Sequence, residues 1–308
     1  LVVNSVRNDV TTPYLHSQCL ALSLIANLGG HEFADTVAQD VAKLITQPLE
    51  TGSSFLSPVD SNPKIDPDEI RRNRNAIIKK TCLCLLRLYR TNPDCLIAEE
   101  WVTHLVKLVL DQDLGVVTAA MSLLLAMTSH QPHVFETAIP YVLELMQRLL
   151  TGNALPLEYT YYRIASPWVQ TKCLRFLQYF KEPEDAAWET MKSILDMLLT
   201  KNTDEQNVNK ANADFCIVFE AIALVVSWGP VHDTRGSHAE LRTLTHDLLG
   251  KYIAVKDANV RYLALDMLAR VARVDGHADL QKYHDIVIMS LSEGDMSMRK
   301  RALAVIFA

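Results

Sequence analysis

The densest group of chemically useful side chains in the sequence is basic. Arg71, Arg72, Arg74, Lys79 and Lys80 stand within ten positions of one another. Such a run can hold anionic lipid headgroups or the acidic face of a partner. It can equally be a solvated helix start, balanced by Asp66, Asp68 and Glu69 just before it. Cys82 and Cys84 are spaced like half of a zinc site, but no second pair follows, and a structural site needs four ligands. They are expected to be small hydrophobes in a helix, one buried and one nearer the surface. His130 and His133 flank Gln131-Pro132 and could offer two metal ligands, or mark a polar turn. The run Tyr159-Thr160-Tyr161-Tyr162 could stack on a ligand, or pack beside the start of a helix.

Catalytic signatures are incomplete. His31-Glu32 opens like a zinc-protease helix, but position 35 is Asp. Gly250-Lys251 stands without the rest of a phosphate loop. No acid, base and nucleophile can be paired by spacing, so the expectation is a protein that is not an enzyme and carries no cofactor and no metal. With 30 Lys and Arg against 36 Asp and Glu, the net charge is −6. Duplex binding draws its affinity from many cationic phosphate contacts, so nucleic acid is not an expected partner.

The elements that would position these residues are helices. Only 10 Gly and 12 Pro occur in 308 residues, too few for a sandwich or barrel that turns every 8–12 residues. One apolar spacing recurs, with small or apolar residues drawn from i, i+4, i+8 and i+11, often with i+7, the buried stripe of an amphipathic helix. It appears as Leu15/Cys19/Leu22/Ala26, Ile78/Cys82/Leu85/Leu86/Tyr89, Val116/Ala120/Leu123/Leu124/Met127 and Val169/Cys173/Phe176/Leu177/Phe180. Three more copies follow: Ala213/Ile217/Ala221/Leu224, Val260/Ala264/Met267/Leu268/Val271, and Met298/Ala302/Val305/Ile306. Three residues before each copy stand Thr12, Asn75, Asp113, Ser166, Lys210, Asp257 and Asp295, and all but the lysine are good N-caps. A second helix lies between copies, clearest at Val142/Leu143/Met146/Leu149/Leu150 and Trp188/Met191/Ile194/Leu195/Leu198.

The copies start 63, 38, 53, 44, 47 and 38 residues apart, which brackets the HEAT and armadillo period. The expected fold is therefore all-α: a right-handed α-solenoid of about seven HEAT/armadillo-like helical hairpins, without strands, over residues 1–308 as a single segment. The 63-residue interval holds a Pro-, Ser- and Asp-rich stretch near 46–68, read as an inserted flexible loop. Residues 201–212 read as a second polar connection. The chain begins at Leu1 and ends in mid-pattern, so it reads as a fragment of a longer protein, with an apolar end face at Met298, Ala302 and Val305. Its longest charge-free stretch, Leu114 to Phe135, is interrupted by polar residues and is not expected to span a bilayer. Six Cys and no Asn-X-Ser/Thr sequon suit a reducing compartment.

Several stretches carry a resemblance. They include Leu83-Cys84-Leu85-Leu86-Arg87-Leu88-Tyr89-Arg90-Thr91 before Pro93-Asp94, then Asp113-Leu114-Gly115-Val116-Val117-Thr118-Ala119-Ala120. Tyr159-Thr160-Tyr161-Tyr162, Pro167-Trp168, Phe219-Glu220-Ala221-Ile222 and Arg261-Tyr262-Leu263-Ala264-Leu265 continue it. In order and spacing these resemble the trunks of the large adaptins, most of all the alpha branch. The resemblance covers nearly the whole chain apart from the 46–68 stretch. It implies a scaffold in a clathrin adaptor complex of the plasma membrane, peripheral on its cytoplasmic side, in clathrin-mediated endocytosis. The implied partners are a small sigma subunit, a beta-adaptin and a medium mu subunit, and indirectly clathrin, phosphoinositide membrane and sorting-motif cargo. The alternatives are a coat-type large subunit at the Golgi or endosomes, or a transport-receptor solenoid with soluble cargo. No ligand residue is carried over from the family, and Arg71 to Lys80 is a suggestion from this sequence alone.

Overall fold

Spacing of apolar residues at helical period, with acid or amide caps before each run, builds a molecule of stacked helices. In a computed structural model of the chain, residues 2–46, 66–152, 155–183, 185–201, 207–229, 236–275 and 278–308 are described. The 46–68 stretch falls largely outside them. The chain divides into two compact units, Leu1–Leu145 and Met146–Ala308.

The first unit holds α1 (Val2–Val10), α2 (Leu15–Leu28), α3 (His31–Thr46), α4 (Pro67–Thr91), α5 (Ala98–Val109) and α6 (Leu114–His130). After a 3-10 turn at Pro132–Ala138, α7 (Ile139–Thr151) carries the chain into the second unit. Helices α2, α4 and α6 stack side by side, with α3 on α4 and α5 on α6. Helix α4 starts where Asp66 accepts the Asp68 amide at 3.0 Å and Pro67 supplies a preset φ. Its two sides are both covered, so Cys82 and Cys84 are each fully buried. That corrects the expectation of one thiol near the surface: a helix between two neighbours buries both i and i+2. Helix α6 has no acidic or basic side chain before His130 and packs on α4, α5 and the 3-10 turn, as a helix apolar all round must. Ile78 and Cys82 of α4 meet Val116, Ala119 and Ala120 of α6 in one buried cluster.

The second unit holds α8 (Pro167–Leu177), α9 (Asp185–Leu199), α10 (Val208–Ser227), α11 (Gly236–Ile253), α12 (Ala258–Asp275), α13 (His284–Leu291) and α14 (Met296–Ile306). Helices α8, α10, α12 and α14 stack in that order, with α9 on α10, α11 on α12 and α13 on α14. Helix α10 is the most enclosed, with thirteen of its 20 residues buried. At Gly250 in α11 an added Cβ would stand 2.7 Å from the Tyr283 ring, so only glycine admits that ring. Arg261 holds Glu293 with two bonds of 2.9 and 3.2 Å and also donates to the carbonyls of Val255 and Lys256. Arg301 reaches Asp266 at 2.6 Å and lies over the Tyr262 ring. These two arginines tie α12 to the hairpin that follows, while Arg299 is exposed.

The architecture is the expected all-α solenoid of helical hairpins, with four local corrections. A two-residue antiparallel pair, β1 (Thr160–Tyr161) with β2 (Ile164–Ala165), stands where no strand was expected. Its turn residues Tyr162 and Arg163 have φ of 46° and 69°, a left-handed turn that composition does not reveal. In α2 the buried stripe is Gln18, Ala21, Leu22 and Ile25 rather than Leu15, Cys19 and Ala26. The unforeseen α1 packs there, and Gln18 donates to the Val10 carbonyl at 2.9 Å. Of the six expected caps, Asp113, Asp257 and Asp295 accept first-turn amides. Asn75 lies inside α4 instead, and α10 is capped by Asn207, whose side chain accepts the Lys210 amide, because each helix starts earlier than its apolar stripe. Finally, Met298, Ala302 and Val305 are buried against α12 and α13, and the exposed apolar residues are Met296, Leu303 and Ile306 of α14 with Phe307 just after it.

Candidate interaction surface

The basic run lies wholly on α4, and its charges go three ways. Arg71 pairs with Asp68 at 3.0 Å and Arg72 with Asp66 at 3.9 Å, within the exposed first turns of the helix. Arg74 and Lys79 converge on the turn before α6, at 3.8 Å from Asp111 and 3.5 Å from Asp113. Lys80 turns the other way and donates to Ser23 Oγ of α2 at 2.7 Å. The helix thus meets its own acids at its start and two neighbouring helices further on.

Asp113 is the centre of that arrangement. It accepts the Gly115 and Val116 amides at 2.8 and 3.1 Å, and the Asn75 amide at 2.9 Å. Partial burial pushes its carboxyl up, but the Val116 amide, Lys79, Asn75 and the Gly115 amide together outweigh that and hold it below the usual range. One carboxylate therefore caps α6 and clamps α4 to it.

A concave surface lies elsewhere, in the second unit. Helix α10 presents Asn209, Asn212, Ala213, Cys216, Phe219 and Glu220 at helical spacing, and α8 presents Pro167, Trp168, Thr171 and Arg175 opposite. Tyr161 of β1 and Leu263 of α12 complete a groove of about 500 Å³. The hairpin sets its mouth. Tyr161 meets Tyr162 edge-on at 4.7 Å and Trp168 at 6.1 Å, and Asn209 donates to the Tyr162 hydroxyl at 2.9 Å. Ser166, left-handed at φ 40°, starts α8 with its backbone carbonyl, which accepts the Val169 amide at 2.9 Å. At the far end Arg175 grips Glu220 at 2.5 Å, and Gln178 adds a bond to the same carboxylate at 3.0 Å. Trp168 remains 40% exposed, and Cys216 is exposed beside it.

The hydrogen bond from Arg175 to Glu220 raises the guanidinium above its ordinary range. Partial burial and then the Glu220 carboxylate push the Cys216 thiol up, which leaves it protonated and a poor nucleophile. Burial likewise takes Cys82 and Cys84 to about 12. Among the described residues no three His, Cys, Asp or Glu side chains stand close enough to hold a metal. His130 ends α6 with its ring edge-on to Tyr89 at 5.5 Å, and His133 lies in the following 3-10 turn. No helix among the described residues is long and apolar enough to cross a membrane.

Sequence reasoning singled out Tyr159 to Tyr162 but not the groove. Each wall was visible as a stripe of its own. That the stripes face each other depends on contacts 42 to 47 residues apart, such as Gln178 with Glu220 and Asn209 with Tyr162, which no local pattern encodes.

A family model described as the adaptin N terminal region matches residues 68–308. Over 311 aligned residues the chain is 36% identical to AP-2 complex subunit alpha-1 of Arabidopsis thaliana, covering 100% of this chain and 28% of that protein. AP-2 complex subunit alpha-2 of Dictyostelium discoideum is 31% identical, again over 100% of this chain and 28% of its own length. The chain thus spans under a third of the curated relatives it matches. Among solved structures it is similar to a homology model of the full-length AP-3 complex in an intermediate open conformation. There the TM-score is 0.56 at 16% identity, over 99% of this chain and 44% of that one. A crystal structure of an engineered protein follows with a TM-score of 0.53 at 18% identity, over 99% of this chain and 67% of that one. At such identities the structural likeness speaks for the fold alone.

Proposed function

Because the chain belongs to the adaptin N-terminal family, we propose that it is part of the large alpha subunit of a plasma-membrane clathrin adaptor. It is a scaffold and not an enzyme, one that holds a small sigma, a medium mu and a beta subunit so that cargo is gathered and clathrin recruited at the cytoplasmic face of the membrane. The observation that carries the reading is 36% identity to an AP-2 alpha subunit along the entire chain rather than in one patch. The fold suits it: a solenoid buries each hairpin against its neighbours and offers long surfaces instead of one enclosed pocket.

The reading extends to residues 1–308 as one trunk segment of a longer protein, and to the basic run of α4. Arg71 and Arg72, with exposures of 66% and 71%, are its outward part, offered to anionic lipid or an acidic partner. Affinity purification of the tagged full-length protein from its own cells tests the assignment. Stoichiometric recovery of sigma, mu and beta subunits from plasma membrane supports it. Recovery of Golgi or endosomal coat subunits, or of soluble transport cargo, replaces it.

A further inference from the structure

The seam between α2 and α4 carries a charge that the adaptor assignment does not use. Lys80 donates to Ser23 Oγ at 2.7 Å, and Arg87 to the Gly29 carbonyl at 3.3 Å. These pairs lie 57 and 58 residues apart, so the two helices run parallel and in register. Lys80, Leu83 and Arg87 follow one another at i, i+3 and i+7. That spacing puts them on one face of α4, with the two cations about 10 Å apart along the axis. The face is open: Leu83 is 47% exposed, Arg87 is exposed and Lys80 is half-buried. On α2 beside it, Leu20 stands one turn before Ser23 and is 71% exposed.

Neither cation meets a carboxylate. Their acceptors are a hydroxyl and a backbone carbonyl, which hold the two charges in place without cancelling them. Helix α2 has no acidic side chain, and α6 on the other side of α4 has none. The acids of α4 itself, Asp68 and Glu69, stand in its first turn. Asp111 and Asp113 before α6 are met by Arg74 and Lys79, which spends those two cations as well. Helix α1, which brings Asp9, packs on α2 and α3. At the far end Asn92 donates to Asp35 and Asp94 follows, so Arg90 is set against two acids and does not count. What remains among the described residues of the seam is Lys80 and Arg87, in a chain whose net charge is −6. Their field reaches α2, where burial pushes the Cys19 thiol up and the Lys80 charge pulls it back down.

We propose that the α2–α4 seam receives an acidic helix of a partner protein. That helix sets one carboxylate against Lys80 and a second, seven residues on, against Arg87, with an apolar side chain between them resting on Leu83. Arg87 spends only Nε on Gly29, so its two Nη groups are left to grip a carboxylate. The spacing of the receiving side chains selects a helix, because a partner of the same rise repeats i, i+3 or i+4, and i+7 against them. Two parallel helices also leave a groove into which the ridge of a third can pack. An anionic membrane is a poorer match, since lipid recognition gathers about 4–8 Lys or Arg and here two are uncancelled. The inference stands on this seam and not on the adaptor assignment, and it uses neither Arg71 nor Arg72.

The test uses the full-length chain together with whatever subunits co-purify with it. The probe is a fluorescent helical peptide of Ala and Gln that carries Glu at i and i+7 and photo-reactive leucine at i+3 and i+4. Binding is read by anisotropy, and the crosslinks formed on irradiation are mapped. The expected result is binding that weakens about tenfold with Lys80→Gln and Arg87→Gln together, and about threefold with Leu83→Ala. Arg87→Lys keeps the charge and keeps most of the binding, which separates a lost contact from a lost fold. The crosslinks fall within α2 and α4. No binding, equal binding of a peptide with Lys in place of both Glu, or binding that the double substitution leaves unchanged overturns the proposal. So do crosslinks that map elsewhere, or vesicles containing phosphatidylserine that need Lys80 and Arg87 where the peptide does not. If sigma, mu and beta subunits fail to co-purify, the adaptor reading fails, and the peptide still decides the seam.

Discussion

The seam between α4 and α6 and the seam between α8 and α10 are built alike, yet one is closed and the other open. In each, two first helices of neighbouring hairpins lie side by side and a carboxylate bridges them. At the first seam the facing residues are small or slender, Ile78 and Cys82 against Val116, Ala119 and Ala120, and all are buried in one cluster. Asp113 there is three-quarters covered and takes four bonding partners. At the second seam Trp168 and Phe219 hold the walls apart, and Glu220 joins them only at one end through Arg175 and Gln178. The contrast shows how a repeat protein makes a site without leaving its repeat. Bulk on the facing stripes turns a packing seam into a groove, and the bridging carboxylate becomes a hinge pin instead of a clamp.

The largest expected effect strikes the closed seam. Leu85→Ala removes a fully buried side chain from α4 and should cost about 2–5 kcal/mol in chemical denaturation. A loss below ~1 kcal/mol would mean the seam is not close-packed. Asp113→Ala comes next, at ~2 kcal/mol, since it uncaps α6 and strips the buried Asn75 amide of its partner. The same carboxyl sets a pH dependence. Its pKa is depressed in the fold, so its contribution is complete above the unfolded carboxyl value near 4 and is lost as pH falls through the lower folded value. Melting measured between pH 6 and 3 should fall less steeply in Asp113→Asn than in the native chain. A parallel decline in both would remove Asp113 from that role.

Smaller effects belong to the open seam and the surface. Trp168→Ala should shift stability by about 1 kcal/mol or less, because the ring is already 40% in solvent. A loss as large as that of Leu85→Ala would make the groove wall part of the core and erase the comparison. Arg71→Glu with Arg72→Glu should change stability by ~0.5 kcal/mol or less, as both pairs are exposed. The readout for that double variant is flotation with vesicles containing phosphatidylserine or a phosphoinositide. Unchanged flotation would mean that the basic run meets only its own acids.

Much of this was legible beforehand because helices report their buried faces locally. Val116, Ala120, Leu123, Leu124 and Met127 are all buried as their spacing demands, and Asp113, Asp257 and Asp295 cap as expected. What escaped was whatever depends on a distant neighbour. The α2 stripe turned because α1 packs on it, and both thiols of α4 are buried because a helix lies on each side. Helix starts escaped where polar first turns precede the apolar stripe, as at Asp66-Pro67 and Asn207. The groove escaped for both reasons together, since its walls come from separate hairpins and its mouth from a left-handed turn in Tyr and Arg, where glycine or asparagine is the usual signal.

That turn has a consequence for speed as well as shape. Side chains at Tyr162 and Arg163 forbid most of the backbone freedom that glycine would allow, so the unfolded chain has fewer conformations to give up there and the folded mouth has few alternatives to visit. Preorganisation of this sort lowers the entropy lost on association and is felt mainly as a slower departure of whatever is bound. Glycine at position 163 alone would leave the Tyr161, Tyr162 and Trp168 rings in place and loosen only the backbone that holds them.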